Sequence, residues 1–230
     1  MTSASPDSTP DRKAPSPASL RLRFALGSAA AVAASALDMV VPPAGIPAAL
    51  LVTWFTVRLT GGGWRTLGMG RPRSWPRTLA VGVAFGTVWQ LLFLYGLAPL
   101  TDAMGGEGID HSRFQALEGN LGALALYLGI SWTTAGFGEE IVWRGLVLGG
   151  LARFLGGGRA AWAVSLAAMA ALFGMLHLYQ GVLGVLLTGA TGLALGLLFL
   201  ATRRNLWVTV VAHGTMNTIA FGLLVLGFEA

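Results

Sequence analysis

Three short motifs in the second half of the chain contain side chains that could do chemistry. They are Glu139-Glu140 with Arg144, Phe173 with His177, and His213 with Asn217. Each motif lies in or beside a long apolar stretch. An ionisable side chain at membrane depth is costly to insert, so such residues are functional hypotheses by default. We therefore expect the three motifs to contribute to one site.

Helical spacing separates the two glutamates of the first motif. Glu140 and Arg144 are four residues apart with the acid first, which is the favourable order for an ion pair on one helix face. Glu139 is displaced by about 100° around the axis and cannot share that contact equally. Because a poorly hydrated bundle disfavours the charged form of a carboxyl group, Glu139 is a candidate general base.

The two histidine motifs suggest complementary functions. His213 and Asn217 are four residues apart, so both side chains project from one helix face and can donate hydrogen bonds to a single point, as an oxyanion requires. Phe173 lies one turn before His177, where its ring could pack against the imidazole and fix the rotamer. His177 would then be free to orient a water molecule.

Other interpretations of the same residues remain open. A lone intramembrane histidine can be a packing residue, and an isolated Glu–Arg pair can be purely structural. Glu139, His177 and His213 could also supply three zinc ligands with water as the fourth, although no HExxH sequence is present. A catalytically silent membrane scaffold or bacteriocin-immunity protein is a third possibility.

Composition identifies the solvent of this chain. Hydrophobic residues make up 54% of 230 positions and charged residues 11%, which leaves too few polar side chains to cover a soluble globule. We therefore expect an all-α, polytopic transmembrane helix bundle in a lipid bilayer. The absence of cysteine excludes disulfides and a cysteine nucleophile. The basic residues lie between apolar runs, which does not fit a nucleic-acid-binding surface.

Seven apolar stretches approach the roughly 20 residues that a membrane-spanning helix needs. They are residues 20–41, 44–60, 78–99, 119–138, 160–177, 181–202 and 206–228. Six to eight spans fit this pattern. Residues 1–19 are rich in Ser, Pro and Asp and are expected to form a disordered tail, so that residues 20–230 form the transmembrane domain.

The distribution of charged residues predicts the orientation of the bundle. One set of connections is basic and contains Arg65, Arg71, Arg73, Arg77, Arg153, Arg159, Arg203 and Arg204. The positive-inside rule makes this side, and with it the N-terminus, cytoplasmic. The opposite loop at residues 100–118 is expected outside because it carries Asp102, Glu107, Asp110 and Glu118 against Arg113.

This orientation contains one geometric conflict. Straight helices place Glu139 and His213 in the cytoplasmic half of the membrane, whereas His177 follows Arg159 by roughly 26 Å of ideal helix and falls at the outer end. A tilted helix or a misplaced boundary is needed to bring the three together.

Small residues at four-residue spacing predict where helices approach closely. The pairs are Gly82 with Gly86 and Gly192 with Gly196. No internal repeat is visible, which argues against a transporter.

The order and spacing of the three motifs resemble the type II CAAX prenyl endopeptidase and bacteriocin-processing family of intramembrane glutamic proteases. The family pattern is EExxxR, then FxxxH, then HxxxN on successive helices, and all three occur here in that order within residues 119–220. Trp143 stands where phenylalanine is more often expected. The usage of Ala, Gly and Arg suggests a bacterial cell membrane.

The resemblance implies an endopeptidase that needs no cofactor and acts on membrane-associated or C-terminal peptides. Glu139 would activate the attacking water together with His177, while His213 and Asn217 would stabilise the tetrahedral oxyanion. The supporting residues would be Glu140, Arg144 and Phe173. The resemblance specifies neither the substrate sequence nor the oligomeric state.

Overall fold

The part of the chain that the structure describes folds as a bundle of seven main helices. The computed structural model describes residues 15–103 and 110–228, and within these residues there is no strand. The helices are α1 Pro17–Ser35, α2 Gly45–Leu59, α3 Trp75–Leu92, α4 Leu121–Phe154, α5 Arg159–Met175, α6 Gly181–Ala201 and α7 Leu206–Val225. Beyond its α-helical part, α3 continues as a π-helix at Phe93–Leu97 and a short α-helix at Ala98–Ala103. The predicted all-α fold is confirmed.

Most of the helices have the length and composition of membrane spans. Among the described residues, five segments are long and apolar enough to cross a bilayer: Pro17–Met39, Trp75–Leu100, Leu121–Phe154, Leu178–Ala201 and Leu206–Val225. The other two, α2 and α5, are apolar but shorter, with 15 and 17 residues. Large apolar side chains such as Leu26, Leu186 and Leu197 are exposed around the bundle, where lipid would cover them. The chain is an integral membrane protein with about seven spans.

Two predicted segments extend beyond the described residues. Helix α1 begins at Pro17 rather than at Leu20, because Ser16 caps it by accepting a hydrogen bond from the Ser19 backbone N–H at 3.2 Å. Residues 1–14 of the predicted tail, and Glu107 of the predicted outer loop, lie outside the described residues.

The length of α4 is the largest difference from the sequence prediction. The fourth apolar stretch was expected to end at residue 138, but the helix continues to Phe154 and is a π-helix over Trp132–Leu148. Glu140 and Arg144, which interrupt the apolar pattern, form an ion pair with each other, and the residues between them, Ile141, Val142 and Trp143, are buried. The helix can therefore continue through the motif. π-Helical geometry is rare and often occurs at functional sites.

Both predicted glycine pairs lie at helix contacts. Gly82 and Gly86 of α3 face α7, and Gly192 and Gly196 of α6 face α5. A Cβ on Gly86 would come within 2.5 Å of the Ala212 carbonyl oxygen, which is closer than any real side chain allows. The absence of a side chain therefore lets α3 press against the part of α7 that carries the HxxxN motif.

Capping residues set the starts of the two helices that carry most of the polar motifs. The Asn120 side chain accepts a hydrogen bond from the Ala123 backbone N–H at 3.0 Å at the start of α4. The Asn205 side chain accepts from the Trp207 backbone N–H at 3.2 Å at the start of α7. Helix α7 then packs against α3, α4 and α6.

The two ends of the bundle differ in charge. At one end the loop after α2 meets the end of α4 and the turn between α6 and α7: Arg153 donates a hydrogen bond to the Thr66 carbonyl oxygen at 2.7 Å, and the Leu206 backbone N–H donates to the Gly68 carbonyl oxygen at 3.1 Å. This end contains the arginine-rich connections. At the opposite end the Asp110 backbone N–H donates to the Gln180 carbonyl oxygen at 3.3 Å. The cytoplasmic assignment of the arginine-rich end stays a prediction.

Candidate active site

An ion pair within α4 forms the centre of the site. Arg144 Nη1 donates to Glu140 Oε1 at 2.8 Å, and both side chains are fully buried. Arg144 Nη2 also donates to the Gly192 carbonyl oxygen of α6 at 3.3 Å. A buried pair is strongly destabilised when one partner is removed, because the other charge is left uncompensated. The predicted pairing of Glu140 with Arg144 is present, and it links α4 to α6.

His213 of α7 binds the same carboxylate oxygen. Its Nδ1 donates to Glu140 Oε1 at 2.8 Å, and 7% of the residue is exposed. Because the Glu140 carboxylate can only accept, the proton of the neutral imidazole is placed on Nδ1, and Nε2 remains available. Glu140 Oε2 is buried and makes no hydrogen bond within the described part of the chain. Glu140 therefore holds the imidazole of α7 in a defined orientation.

Asn217 lies one helical turn after His213 and is held from α4. Its Nδ2 donates to Ser131 Oγ at 2.8 Å, and Ser131 is buried. An amide nitrogen carries two N–H donors, so one remains for another acceptor. The side chains of His213 and Asn217 are thus both oriented by groups of α4.

His177 lies just beyond the last turn of α5. Its Nδ1 donates to the Phe173 carbonyl oxygen at 2.8 Å, since a carbonyl can only accept. The Phe173 ring lies 4.9 Å from the imidazole, centroid to centroid, in a tilted arrangement. The predicted packing of Phe173 on His177 is therefore present. As in His213, the proton on Nδ1 leaves Nε2 available.

Glu139 occupies a different environment from Glu140. It is half-buried, and it makes no hydrogen bond or ion pair with the residues that the structure describes. Its carboxylate interacts electrostatically with the hydroxyl of Tyr179, whose ring lies 5.7 Å from that of His177. Of the two adjacent glutamates, only Glu140 is committed to a structural pair.

A continuous series of contacts connects α7 with the end of α5. Glu140 binds both His213 and Arg144. The Arg144 guanidinium lies 4.7 Å from the centroid of the Phe173 ring, and that ring packs against His177. The expected depth conflict is reduced because α4 extends to Phe154, which places Glu139 near the middle of that helix instead of at its end.

Comparison with known proteins agrees with the motif pattern. Residues 121–219 match the Type II CAAX prenyl endopeptidase Rce1-like family. The resemblance predicted from the three motifs is confirmed over this range, which contains all seven predicted site residues and supports a CAAX-type intramembrane protease. No curated protein and no solved structure matches the chain.

Several residues of the Rce1-like region contact the site but were not found from sequence. Ser131 orients Asn217, and the Gly192 carbonyl accepts from Arg144. The Tyr179 ring lies 5.7 Å from that of His177, and its hydroxyl interacts electrostatically with Glu139. Tyr179 is two residues after His177 and was a possible signal. Ser131 contributes a hydroxyl and Gly192 a backbone carbonyl. Both groups are common, and no sequence pattern marks these two as part of a site.

The alternative zinc site would need three ligands close together in the Rce1-like region. Among the described residues, no three His, Cys, Asp or Glu side chains lie close enough to hold a metal ion. The ligand set Glu139, His177 and His213 therefore does not fit a zinc centre in this geometry.

Proposed function

We propose that this protein is an intramembrane endopeptidase that hydrolyses peptide bonds with a glutamate-activated water. One observation carries the proposal. The two imidazoles, His177 and His213, each donate from Nδ1 to a fixed acceptor, and the Glu140–Arg144 pair and Phe173 connect them. This arrangement leaves both Nε2 atoms and the Glu139 carboxylate for a substrate and a water. The match to the Rce1-like family supports the same reaction class.

In the first step, water attacks the carbonyl carbon of the scissile peptide. The Glu139 carboxylate takes one proton from the water, and His177 Nε2 accepts the second O–H and orients the lone pair. The C–O bond forms and the carbonyl π electrons move to the oxygen, which becomes an oxyanion. Glu139 suits this task because no other group among the described residues occupies its carboxylate with a hydrogen bond.

Two donors on α7 would stabilise the oxyanion. The free N–H of Asn217 is one of them, since the other is bound to Ser131. His213 already donates from Nδ1, so it can donate from Nε2 only as the imidazolium. One such donor typically contributes about 2.7 to 4 kcal/mol of transition-state stabilisation.

In the second step, the tetrahedral intermediate collapses. The C–N bond breaks, and Glu139 returns its proton to the departing nitrogen so that the amine leaves uncharged. One water is consumed and two peptides are formed. The Glu140–Arg144 pair takes no part in these transfers and acts by positioning His213 and Phe173.

The substrates would be membrane-associated peptides or the C-terminal segments of proteins. Two of the four predicted catalytic residues, His213 and Asn217, lie on α7, which has the length and composition of a membrane-spanning helix, so the scissile bond must reach membrane depth. The name of the matching family indicates C-a-a-X boxes on prenylated proteins as one class to test.

The decisive experiment compares Glu139→Gln with wild type in proteoliposomes. The probes are a peptide library and a farnesylated C-a-a-X peptide, and cleavage is followed by mass spectrometry. We expect Glu139→Gln to lose cleavage while keeping the thermal unfolding midpoint, because Glu139 is half-buried and has no ion-pair partner among the described residues. Glu118→Gln is the matched control, since Glu118 is an exposed acid beyond the helices. Full activity of Glu139→Gln would refute the mechanism, and a phenotype without any cleavage would indicate a scaffold.

Metal dependence is tested separately. A strong zinc chelator in metal-free buffer should leave cleavage by the wild type unchanged. Inhibition by the chelator that added zinc reverses would instead favour the zinc-protease alternative.

A further inference from the structure

A cavity lies at the arginine-rich end of the bundle, opposite to the end where His177 is found. Its volume is about 330 Å³. The loop after α2, the ends of α4 and α6, the start of α5 and the turn before α7 enclose it. Its polar lining consists of Arg65, Thr66, Arg153, Arg203 and Arg204, and its aromatic lining of Trp162 and Phe199. None of the residues that line it is acidic, so four guanidinium groups surround a space with no counter-charge of its own.

Arg153 is the innermost cation of this cavity. Its Nη2 donates to the Thr66 carbonyl oxygen at 2.7 Å, and its guanidinium lies 4.7 Å from the centroid of the Phe24 ring. Nη1 is buried, lies close to Gly149 and has no acceptor within the described residues. Arg204 is near enough to repel it. A buried donor without an acceptor, beside a second cation, is a position where a bound anion would be stabilising.

The backbone that presents the outer arginines is strained. Arg203 and Arg204 have φ values of 58° and 61°, a left-handed conformation that costs a non-glycine residue of order 1–3 kcal/mol. The turn is held from both sides, because the Arg204 backbone N–H donates to the Phe199 carbonyl oxygen at 2.7 Å and the Leu206 N–H donates to Gly68. The Arg204 guanidinium rests 5.4 Å from the centroid of the Trp162 ring. Such strain persists only where the surroundings impose it, and it often marks binding sites.

We propose that this cavity binds the phosphate of an anionic phospholipid headgroup. Guanidinium groups recognise phosphate through paired N–H donors, and basic pockets between membrane helices bind acidic headgroups. The cavity lies where membrane-spanning helices end, which is the level of lipid phosphates, and Trp162 is of the type that favours this interface. The inference is independent of the proposed protease activity, since no lining residue belongs to the candidate active site.

The test measures lipid binding to the full-length protein in a neutral detergent. The probe is dioleoyl phosphatidylglycerol, with dioleoyl phosphatidylcholine as the uncharged comparison, and bound lipid is counted by native mass spectrometry over a concentration series. We expect wild type to bind phosphatidylglycerol saturably. The double variant Arg153→Gln/Arg204→Gln should bind it at least about tenfold more weakly, because it loses two charge-assisted contacts.

A matched pair of arginines controls for general charge. Arg71 and Arg73 lie at the same end of the bundle but do not line the cavity, so Arg71→Gln/Arg73→Gln removes the same charge. This variant should bind like wild type. Equal weakening in both double variants would overturn the proposal in favour of diffuse attraction, and unchanged binding in Arg153→Gln/Arg204→Gln would overturn it outright.

Two further arms complete the test. Inorganic phosphate should displace bound phosphatidylglycerol only weakly. If it competes as strongly as the lipid itself, the ligand of the cavity is free phosphate and the lipid proposal is overturned. Should Arg153→Gln/Arg204→Gln fail to fold, Arg204→Gln alone is used, because Arg204 is exposed. A severalfold loss is then expected, and wild-type affinity would overturn the proposal.

Discussion

Glu140 of α4 accepts a hydrogen bond from His213 of α7 at 2.8 Å, across 73 residues of sequence. The same carboxylate oxygen accepts from Arg144. The second glutamate of the EExxxR motif is therefore a positioning residue that orients the imidazole of α7. Its neighbour Glu139 makes no hydrogen bond among the described residues and is the general base of the proposed reaction. The two glutamates are adjacent in sequence but differ in burial and in partners, which leads to separable predictions.

Glu140→Gln should destabilise the fold because Arg144 would remain buried without its counter-charge. The expected loss is about 3–5 kcal/mol in the free energy of unfolding, measured by thermal or denaturant unfolding in detergent. Replacing both residues with apolar side chains, as in Glu140→Leu/Arg144→Met, should recover most of the stability but no cleavage. A double variant as unstable as Glu140→Gln would contradict this account of the pair.

Substitutions of His213 should separate positioning from chemistry. In His213→Asn the amide nitrogen can replace Nδ1 as the donor to Glu140, while nothing replaces Nε2. We expect a stability close to that of wild type and a fall of about 100- to 1000-fold in kcat, the usual effect of removing one oxyanion donor. His213→Leu should lower both quantities. Wild-type turnover by His213→Asn would exclude Nε2 from the reaction.

Ser131 should affect catalysis through Asn217. Ser131→Ala removes the acceptor that orients the Asn217 amide, so kcat should fall by about tenfold while KM stays unchanged. Ser131→Thr keeps the hydroxyl and should restore most of the rate. Ser165→Ala is the control, since Ser165 is also a buried serine but its hydroxyl makes no hydrogen bond among the described residues. A change in KM alone would indicate a substrate contact.

The orientation of the bundle can be tested cleanly because the chain has no cysteine. A membrane-impermeant maleimide added to intact cells should label Glu118→Cys directly. Arg73→Cys should react only after the membrane is permeabilised, since the arginine-rich end is predicted to face the cytoplasm. The cysteine-free wild type provides the background. The reverse pattern would place the N-terminus outside and move the arginine-lined cavity to the outer leaflet.

Helix positions were largely predictable from sequence, whereas helix lengths were not. Apolar runs located all seven helices because a chain in lipid must satisfy its backbone hydrogen bonds within each segment. The run that was expected to end at residue 138 continues to Phe154, because Glu140 and Arg144 neutralise each other inside the helix. A hydropathy average scores each residue separately, so it takes no account of two opposite charges that form an ion pair.

The sequence by itself determined the residue types of the candidate site, the spacing within each motif and the contacts that a single helical turn allows, such as Glu140 with Arg144 and Phe173 with His177. Only the tertiary structure decided which partner each group takes on another helix. Ser131 binding Asn217, Glu140 binding His213 and the four arginines around one cavity all depend on how helices are arranged side by side. The physical reason is that local periodicity fixes directions around one helix axis, while distances between axes are set by side-chain packing, such as that of Gly86 against Ala212.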